Sequence, residues 1–505
     1  MAEAPLPTER AVLVVGAGTM GAGIAEVAAA AGHAVLLRDA RPGAVAAAIA
    51  RIRDGLQRRV ARGRLDAAAA EATAARIRDD DGDAPLADVG LAIEAIVEDL
   101  DRKAEALSAL RPHLGNDAIL ATNTSSLSVT ALAARLPDPG RVVGMHFFNP
   151  ATVLPLVEVV RGQASDAGVV ARVAATARAW GKTPVVCDST PGFIVNRVAR
   201  PFYGEALRLL LERQADPATL DAVMREAGGF RMGPCELMDL IGHDVNLAVT
   251  RGVWDGFFRD PRYRPSLVQQ ALVDAGWLGR KSGRGFYAYD EGASPPAPRA
   301  LSGPRPAAVV VEGDLGPARG LLPRLHAAGL VVRETPGDGV LRIDGHRLAL
   351  TDGRTADARA QALGAPVALF DLATDWAAAT RVAVAASHDG DDARAAAAGL
   401  FAALGLQVSP LGDAPGLAVA RTVAMLVNEA ADAVQQGIAT ADDVDLAMQR
   451  GVNYPRGPLA WGRALGLGYV VRVLDHLAAA YGEERYRTSP WLRREALRAE
   501  AADDG

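Results

Sequence analysis

Cysteine is nearly absent from this 505-residue chain: only Cys187 and Cys235 occur. Two thiols cannot build a disulfide framework, which excludes a bridge-stapled fold and leads us to expect a reducing compartment. Long apolar runs are missing as well. The longest, from Ala11 to Ala25, is broken by Gly16, Gly18, Gly21 and Gly23 and stops at Glu26, short of the ~20 residues a membrane helix needs. The opening MAEAPLPTER lacks the basic-then-apolar order of a secretory signal, so a cytoplasmic protein is expected. Neither charge is in excess: 54 Lys and Arg face 60 Asp and Glu, for a net charge of −6. That balance gives no whole-protein attraction to nucleic acid or to an anionic membrane.

Two scarcities are informative in another way. Only Lys103, Lys182 and Lys281 are lysines, against 51 arginines. Asparagine occurs seven times, yet Asn116, Asn123, Asn149 and Asn196 crowd into one stretch. A local cluster of a rarely used residue suggests chemistry that its common substitutes cannot supply. What the chain has in quantity is apolar material, 50% hydrophobic against 23% charged, enough for the three or four cores expected at ~100–200 residues per domain.

Strand-like runs at 11–16, 34–39, 91–96, 118–123, 141–148, 154–160 and 183–187 alternate with helical stretches, which predicts a mostly parallel, doubly wound α/β sheet over 1–190. An all-α domain is expected over 191–290, where Asp216-Pro217 reads as an N-cap with proline at the first helical position. Residues 291–306, rich in Pro, Gly, Ser and Ala, read as a linker. Beyond it the chain repeats itself. PGLAVARTVAMLVNEAADAV (415–434) matches PGFIVNRVARPFYGEALRLL (191–210), and the same offset of 224 maps Asp221 to Asp445, Met224 to Met448, Gly233-Pro234 to Gly457-Pro458 and Gly242 to Gly466. A second helical copy is therefore expected over 411–505. Residues 307–410 should form a reduced Rossmann-like domain, because Gly313 and Gly329 echo Gly16 and Gly32 while Leu315 and Ala318 replace Gly18 and Gly21.

Gly16-Ala17-Gly18-Thr19-Met20-Gly21 is a G-x-G-x-x-G directly after a predicted strand and opening a predicted helix. Gly16 permits the tight turn, Gly18 the approach of a pyrophosphate, and Gly21 close packing of helix on strand. Thr19 and Met20 start the helix, whose N-terminus offers free N–H groups to phosphate. Asp39, 23 residues after Gly16, stands where an acid would take the ribose hydroxyls. It should favour NAD over NADP, although Arg38 and Arg41 flank it.

Between Asn123 and Asn196 lie T-N-T-S-S-L (122–127), H-F-F-N-P (146–150), Glu158 and P-G-F-I-V-N-R (191–197). With the glycine loop, E-A-I-V-E (94–98) and the closing G-F-Y-A-Y (285–289), the chain resembles the L-3-hydroxyacyl-CoA dehydrogenase family, in its long bacterial form with a duplicated helical domain. The chemistry such an enzyme needs is a base for the hydroxyl proton while hydride leaves the same carbon, and histidine suits that task. His146 ends a predicted strand, where open α/β sheets bind ligands, and Glu158 could hold its second ring nitrogen. The resemblance implies His146 as the acid/base, Glu158 as its partner, and Ser125, Asn149 and Asn196 as polar contacts. It also places Glu98 and Lys103 near the cofactor. The other histidines lack such neighbours.

The stretch 51–64 supplies Arg51, Arg58, Arg59, Arg62 and Arg64, as candidates for the CoA phosphates; a solvated basic helix face fits them equally. In the second copy Ala420 replaces Asn196 and no H-F-F-N-P precedes it, so one active site per chain is expected. The second helical copy would form an intrachain pseudo-dimer, with a homodimer left open. The expected activity is NAD-dependent oxidation of a 3-hydroxyacyl-CoA thioester, with 3-hydroxyadipyl-CoA of phenylacetate catabolism and 3-hydroxybutyryl-CoA as candidate substrates. Alternatives are a dehydrogenase of a free 3-hydroxy or sugar acid, and a non-catalytic NAD-binding protein. No metal is expected.

Overall fold

Two β-sheets, each covered by helices, organise the computed structural model, which describes residues 3–80 and 86–503. The first contains β1 (Ala11–Val15), β2 (Val35–Arg38), β3 (Ile77–Asp79), β4 (Val89–Glu94), β5 (Ile119–Thr122), β6 (Val142–Phe147), β7 (Leu156–Arg161) and β8 (Thr183–Asp188), in the order β3-β2-β1-β4-β5-β6-β7-β8. All neighbours are parallel except β6 and β7. Every residue of β4 and of β6 is buried. A strand covered on both faces reads as a continuous apolar run rather than an alternating one. β3 escapes sequence reading because three residues carry no periodicity.

The chain divides into two compact units. The first joins residues 1–196 with 437–452, and the second holds 197–436 with 453–505. The helix Ala441–Val452, from the second helical copy, thus belongs with the first sheet. It packs on β7 and β8, and Ile438 accepts a hydrogen bond from the Asp188 N–H. A Cβ on Gly451 would come within 2.6 Å of Leu156, so glycine there allows the close approach.

The second unit carries the seven-stranded sheet: β9 (Ala308–Gly313), β10 (Val331–Thr335), β11 (Asp338–Ile343), β12 (His346–Leu350), β13 (Val367–Phe370), β14 (Arg381–Ala386) and β15 (Gln407–Pro410), ordered β10-β9-β11-β12-β13-β14-β15. The pair β9–β10 is parallel around the helical segment 316–327, which is the shrunken echo of the opening strand–helix–strand. Asp216 caps the helix Pro217–Glu226 by accepting from Thr219 N at 2.9 Å, with Pro217 in its first turn, as the sequence predicts.

The two helical copies interlock inside this unit through reciprocal ion pairs. Arg197 of the first copy donates to Glu429 of the second at 2.6 Å, and its repeat mate Arg421 donates to Glu205, the mate of Glu429, at 3.1 Å. Arg262 and the Tyr263 hydroxyl complete Glu429, while Arg485 and the Tyr486 hydroxyl complete Glu205. Both carboxylates are fully buried. Each is satisfied by two guanidinium groups and a phenol, which offsets the cost of desolvating it.

Candidate active site

The glycine loop is shaped by what would collide with it. Gly16 has φ +110°, and a Cβ there would lie 2.5 Å from the Ala95 carbonyl; one on Gly21 would lie 1.7 Å from the Gly16 carbonyl. Those two glycines serve the fold. Gly18 differs, since a Cβ there meets nothing within 4 Å, so its bareness leaves room for a ligand. The helix Thr19–Ala30 starts at Gly18 without a side-chain cap, and its first N–H groups face outward as an anion site. Asp39 accepts from Ala17 N at 2.8 Å and from Arg41 N at 2.9 Å. The Arg41 guanidinium, aided by both N–H groups against the effect of burial, pulls its carboxyl down to about 2. These residues fit a dinucleotide: a phosphate cradle, and a charged acceptor for ribose hydroxyls.

The second cluster gathers at the ends of β4, β5, β6 and β7. Because β6 and β7 pair antiparallel, His146 and Glu158 face each other across the strands. Nδ1 of His146 donates to Oε2 of Glu158 at 2.7 Å, a direction set by the acceptor-only carboxylate. The other oxygen of Glu158 accepts from Ile194 N at 3.0 Å and Val195 N at 2.9 Å. Glu158 is fully buried and His146 is 6% exposed, with the rings of Phe148 and Phe193 beside the imidazole at 4.5 and 5.9 Å. A hydrogen bond to a carboxylate favours the tautomer with its proton on Nδ1, which leaves Nε2 able to accept a proton.

Glu98 anchors the loop that carries Ser125. One of its oxygens accepts from the hydroxyl of Thr124 (2.6 Å), the N–H groups of Ser125 (3.0 Å) and Ser126 (3.1 Å), and the hydroxyl of Ser126 (3.0 Å). Burial works to raise its pKa, but these donors and Lys103 outweigh it and hold the carboxyl below the usual range. Lys103 is only 1% exposed, on the helix Leu100–Leu110, with its ammonium 2.7 Å from Glu94 and 3.3 Å from Glu98. Its charge is spent on these carboxylates beneath the loop rather than offered at the surface. Asn196 donates to the Ser125 carbonyl at 3.4 Å. Asn149 stands exposed in the loop after β6, before a cis Asn149–Pro150 peptide.

Among the arginines of 51–64, Arg51 donates to the Ala17 carbonyl at 3.1 Å and Arg59 pairs with Glu26. Both act as struts to the cofactor loop and its helix, while Arg58, Arg62 and Arg64 are exposed. Three residues that the sequence reading did not assign to the site support it. Glu94 accepts from Lys103, from Ile96 N and from the Thr122 hydroxyl. Asn123, counted only within the asparagine cluster, accepts from Phe147 N at 2.8 Å. Lys182 donates to the carbonyls of Ala151 and Leu154, bracing the loop that holds Asn149.

Comparison with known proteins decides the family. Residues 11–190 match the 3-hydroxyacyl-CoA dehydrogenase NAD binding domain, and 192–289 and 416–501 both match the C-terminal domain of that family. The chain belongs to the 3-hydroxyacyl-CoA dehydrogenase family. Residues 348–415 further match a 3-hydroxybutyryl-CoA dehydrogenase reduced Rossmann-fold domain. This dehydrogenase is 46% identical over 486 residues to the 3-hydroxyadipyl-CoA dehydrogenase of Escherichia coli K12, covering 96% of this chain and 97% of that protein. The crystal structure of a 3-hydroxybutyryl-CoA dehydrogenase from E. coli K12 superposes with a TM-score of 0.90 at 44% identity, over 98% of this chain and all of the other. The (S)-3-hydroxybutyryl-CoA dehydrogenase of Ralstonia eutropha matches only 56% of this chain, at 39% identity and a TM-score of 0.54, though 99% of itself. The dehydrogenase is an NAD-dependent oxidoreductase of 3-hydroxyacyl-CoA thioesters. Among the described residues no helix is long and apolar enough to cross a membrane.

Proposed function

We propose that this chain oxidises (S)-3-hydroxyadipyl-CoA to its 3-oxo thioester. The reading is carried by the His146–Glu158 pair in a chain that aligns over 96% of its length, second half included, with a 3-hydroxyadipyl-CoA dehydrogenase. Glu158, held by two N–H groups, fixes the imidazole so that Nε2 takes the proton of the substrate's 3-hydroxyl. The imidazolium that forms is stabilised by the carboxylate 2.7 Å away. NAD, held by the glycine loop and Asp39, supplies the acceptor for the hydride that leaves the same carbon. Ser125, Asn149 and Asn196 hydrogen-bond the reacting oxygen or the thioester carbonyl, polarising them without adding charge. Glu98 and Lys103 act one step back, fixing the Ser125 loop. Arg58, Arg62 and Arg64 remain the exposed cations for CoA phosphates.

The test is NADH oxidation with 3-oxoadipyl-CoA and acetoacetyl-CoA, comparing the native chain with His146→Ala. A preference for the dicarboxylic substrate and its loss in the variant support the proposal. An equal or greater rate with acetoacetyl-CoA favours the second reading, a 3-hydroxybutyryl-CoA dehydrogenase, whose basis is the likeness to the E. coli 3-hydroxybutyryl-CoA dehydrogenase structure over 98% of this chain. Activity retained in His146→Ala overturns the assignment of the base.

The cytoplasm suits two buried free thiols. The reciprocal pairs between helical copies support an intrachain pseudo-dimer; sedimentation of the full chain as a monomer would set a homodimer aside.

A further inference from the structure

Asp39 ends β2 between two arginines whose tasks the structure separates. Arg38 turns away to the buried carboxylate of Asp80, with Nε at 2.8 Å and Nη2 at 2.7 Å from the same oxygen. The Arg41 side chain is 73% exposed and spans Asp39, donating from Nε to one oxygen at 3.0 Å and from Nη2 to the other at 3.1 Å. Its own N–H also donates to Asp39 at 2.9 Å, so the backbone is anchored and only the side chain can swing. With Ala17 N on the second oxygen at 2.8 Å, Arg41 occupies the acceptor positions that ribose hydroxyls require. A bound dinucleotide must displace that guanidinium, which is the exposed partner of the pair, whereas the Asp39 side chain is only 9% exposed and stays in place. The displaced fork would stay tethered next to Asp39 through the Arg41 N–H.

We propose that Arg41 sets the choice between the two nicotinamide dinucleotides and lets this dehydrogenase accept a 2′-phosphorylated cofactor alongside NAD. A bare acid at this strand end repels a 2′-phosphate. Here the acid already carries a neutralising cation whose planar fork matches phosphate oxygens. Arg38 cannot substitute, since its fork is committed to Asp80. The inference rests on the dinucleotide reading of the glycine loop and extends it from NAD to the class of 2′-phosphorylated cofactor.

The experiment is fluorescence titration of the full-length protein with NADH and with NADPH, in the native chain, Arg41→Ala and Arg38→Ala, followed by kcat/KM for both cofactors. Native protein should bind both. Arg41→Ala should weaken NADPH about tenfold or more, the loss of hydrogen bonds to a charged group, and leave NADH within about twofold. Arg38→Ala should leave the ratio of the two affinities unchanged. A ratio unmoved by Arg41→Ala, or moved equally by Arg38→Ala, overturns the proposal, as does native protein that binds NADH but not millimolar NADPH. Native protein that binds neither overturns the dinucleotide reading and this proposal with it.

Discussion

Replacing Glu158 by Gln keeps the shape of a fully buried side chain and changes what one of its atoms can do. In the native protein one oxygen accepts from the N–H groups of Ile194 and Val195 and the other from Nδ1 of His146 at 2.7 Å. A glutamine has one acceptor oxygen and one donor group. If the oxygen keeps the two N–H groups, the amide NH₂ faces Nδ1, and the imidazole must turn that nitrogen into an acceptor. Its proton then sits on Nε2, where the base is needed. The charge-assisted hydrogen bond that would steady the imidazolium is lost as well, about 1.5–3 kcal/mol, or roughly 10- to 150-fold in rate. With the wrong tautomer added, kcat should fall about 10²–10⁴-fold, the range expected for losing a positioned base. The assay is NADH formation from the 3-hydroxyacyl-CoA, the direction in which His146 is the base, alongside titration of NADH into the variant. NADH affinity should be unchanged, because Asp39 and the glycine loop make no use of Glu158. Glu158→Ala serves as the contrast: it leaves two buried N–H groups unsatisfied, at about 1–3 kcal/mol each, and should lower Tm where Glu158→Gln does not. A Glu158→Gln enzyme with kcat within about threefold of native (~0.7 kcal/mol) would refute the reasoning, since the pair would then be structural only.

Three other perturbations read different parts of the molecule. Gly18→Ala should fold normally, since its Cβ meets nothing within 4 Å, but should weaken NADH binding; Gly21→Ala, 1.7 Å from a carbonyl, should disturb the loop itself, and thermal melts with NADH titrations separate the two. Arg197→Met removes a guanidinium from the buried Glu429 and should cost about 3–5 kcal/mol in denaturant unfolding; a change below about 1 kcal/mol would show that Arg262 and Tyr263 suffice to hold the charge. Asp371→Asn tests a buried carboxyl pushed up to about 6 by burial, against four opposing backbone N–H groups. A folded-state value above the unfolded one means stability fully present below about pH 4 and lost as pH rises through about 6, so the native chain should lose up to about 3 kcal/mol relative to the variant across that window. A difference that stays flat between pH 4 and 7 would contradict it.

Local patterns were the legible ones. The glycine loop needs only a strand, three glycines and a helix in succession, and every part of it is contiguous. His146 and Glu158 were visible as residue types on neighbouring strands, but their contact depends on an antiparallel register that spacing alone does not reveal. Lys103 was harder. A lysine four residues after an N-cap aspartate looks like a solvated charge, and its burial follows from Glu94, which reaches it from the end of β4. His243 shows the opposite hazard. It stands four residues from Asp239, with Nε2 2.7 Å from that carboxylate, and so has the same partner chemistry as His146. Yet the ring is fully buried, and Asp239 is committed to Phe286 N, Tyr287 N and the Tyr289 hydroxyl. That pair fastens the aromatic hook of 285–289 and offers no open face to a substrate. Nor could chain order reveal that the helix Ala441–Val452 belongs with the first sheet.

The duplication separates what the fold requires from what the chemistry requires. In the first sheet β6 pairs with β7 so that His146 faces Glu158, and Glu158 faces Val185 of β8. In the second, β13 pairs antiparallel with β14 and β14 parallel with β15, in registers that carry Asp371 opposite Ala383 and Ala383 opposite Ser409. Asp371 therefore holds the place of His146 and Ala383 that of Glu158. The backbone N–H groups that Glu158 accepts, Ile194 and Val195, become Ala418 and Val419 at the offset of the repeat, and Asp371 accepts both, at 2.9 and 2.7 Å. The capping carboxylate has thus moved one strand over, into the position the histidine vacates. Both copies retain a buried acid on the N–H groups that open the following helix, because leaving such groups unpaired in a core is costly. Only the first copy retains an imidazole between that acid and the surface. Glu158 accordingly carries two loads, one structural and shared with Asp371, the other chemical and its own. For this reason Asp371→Ala should unfold the second unit more readily while leaving kcat unchanged at temperatures where the chain stays folded. A fall in kcat matching that of Glu158→Gln would show that the second copy takes part in the reaction after all.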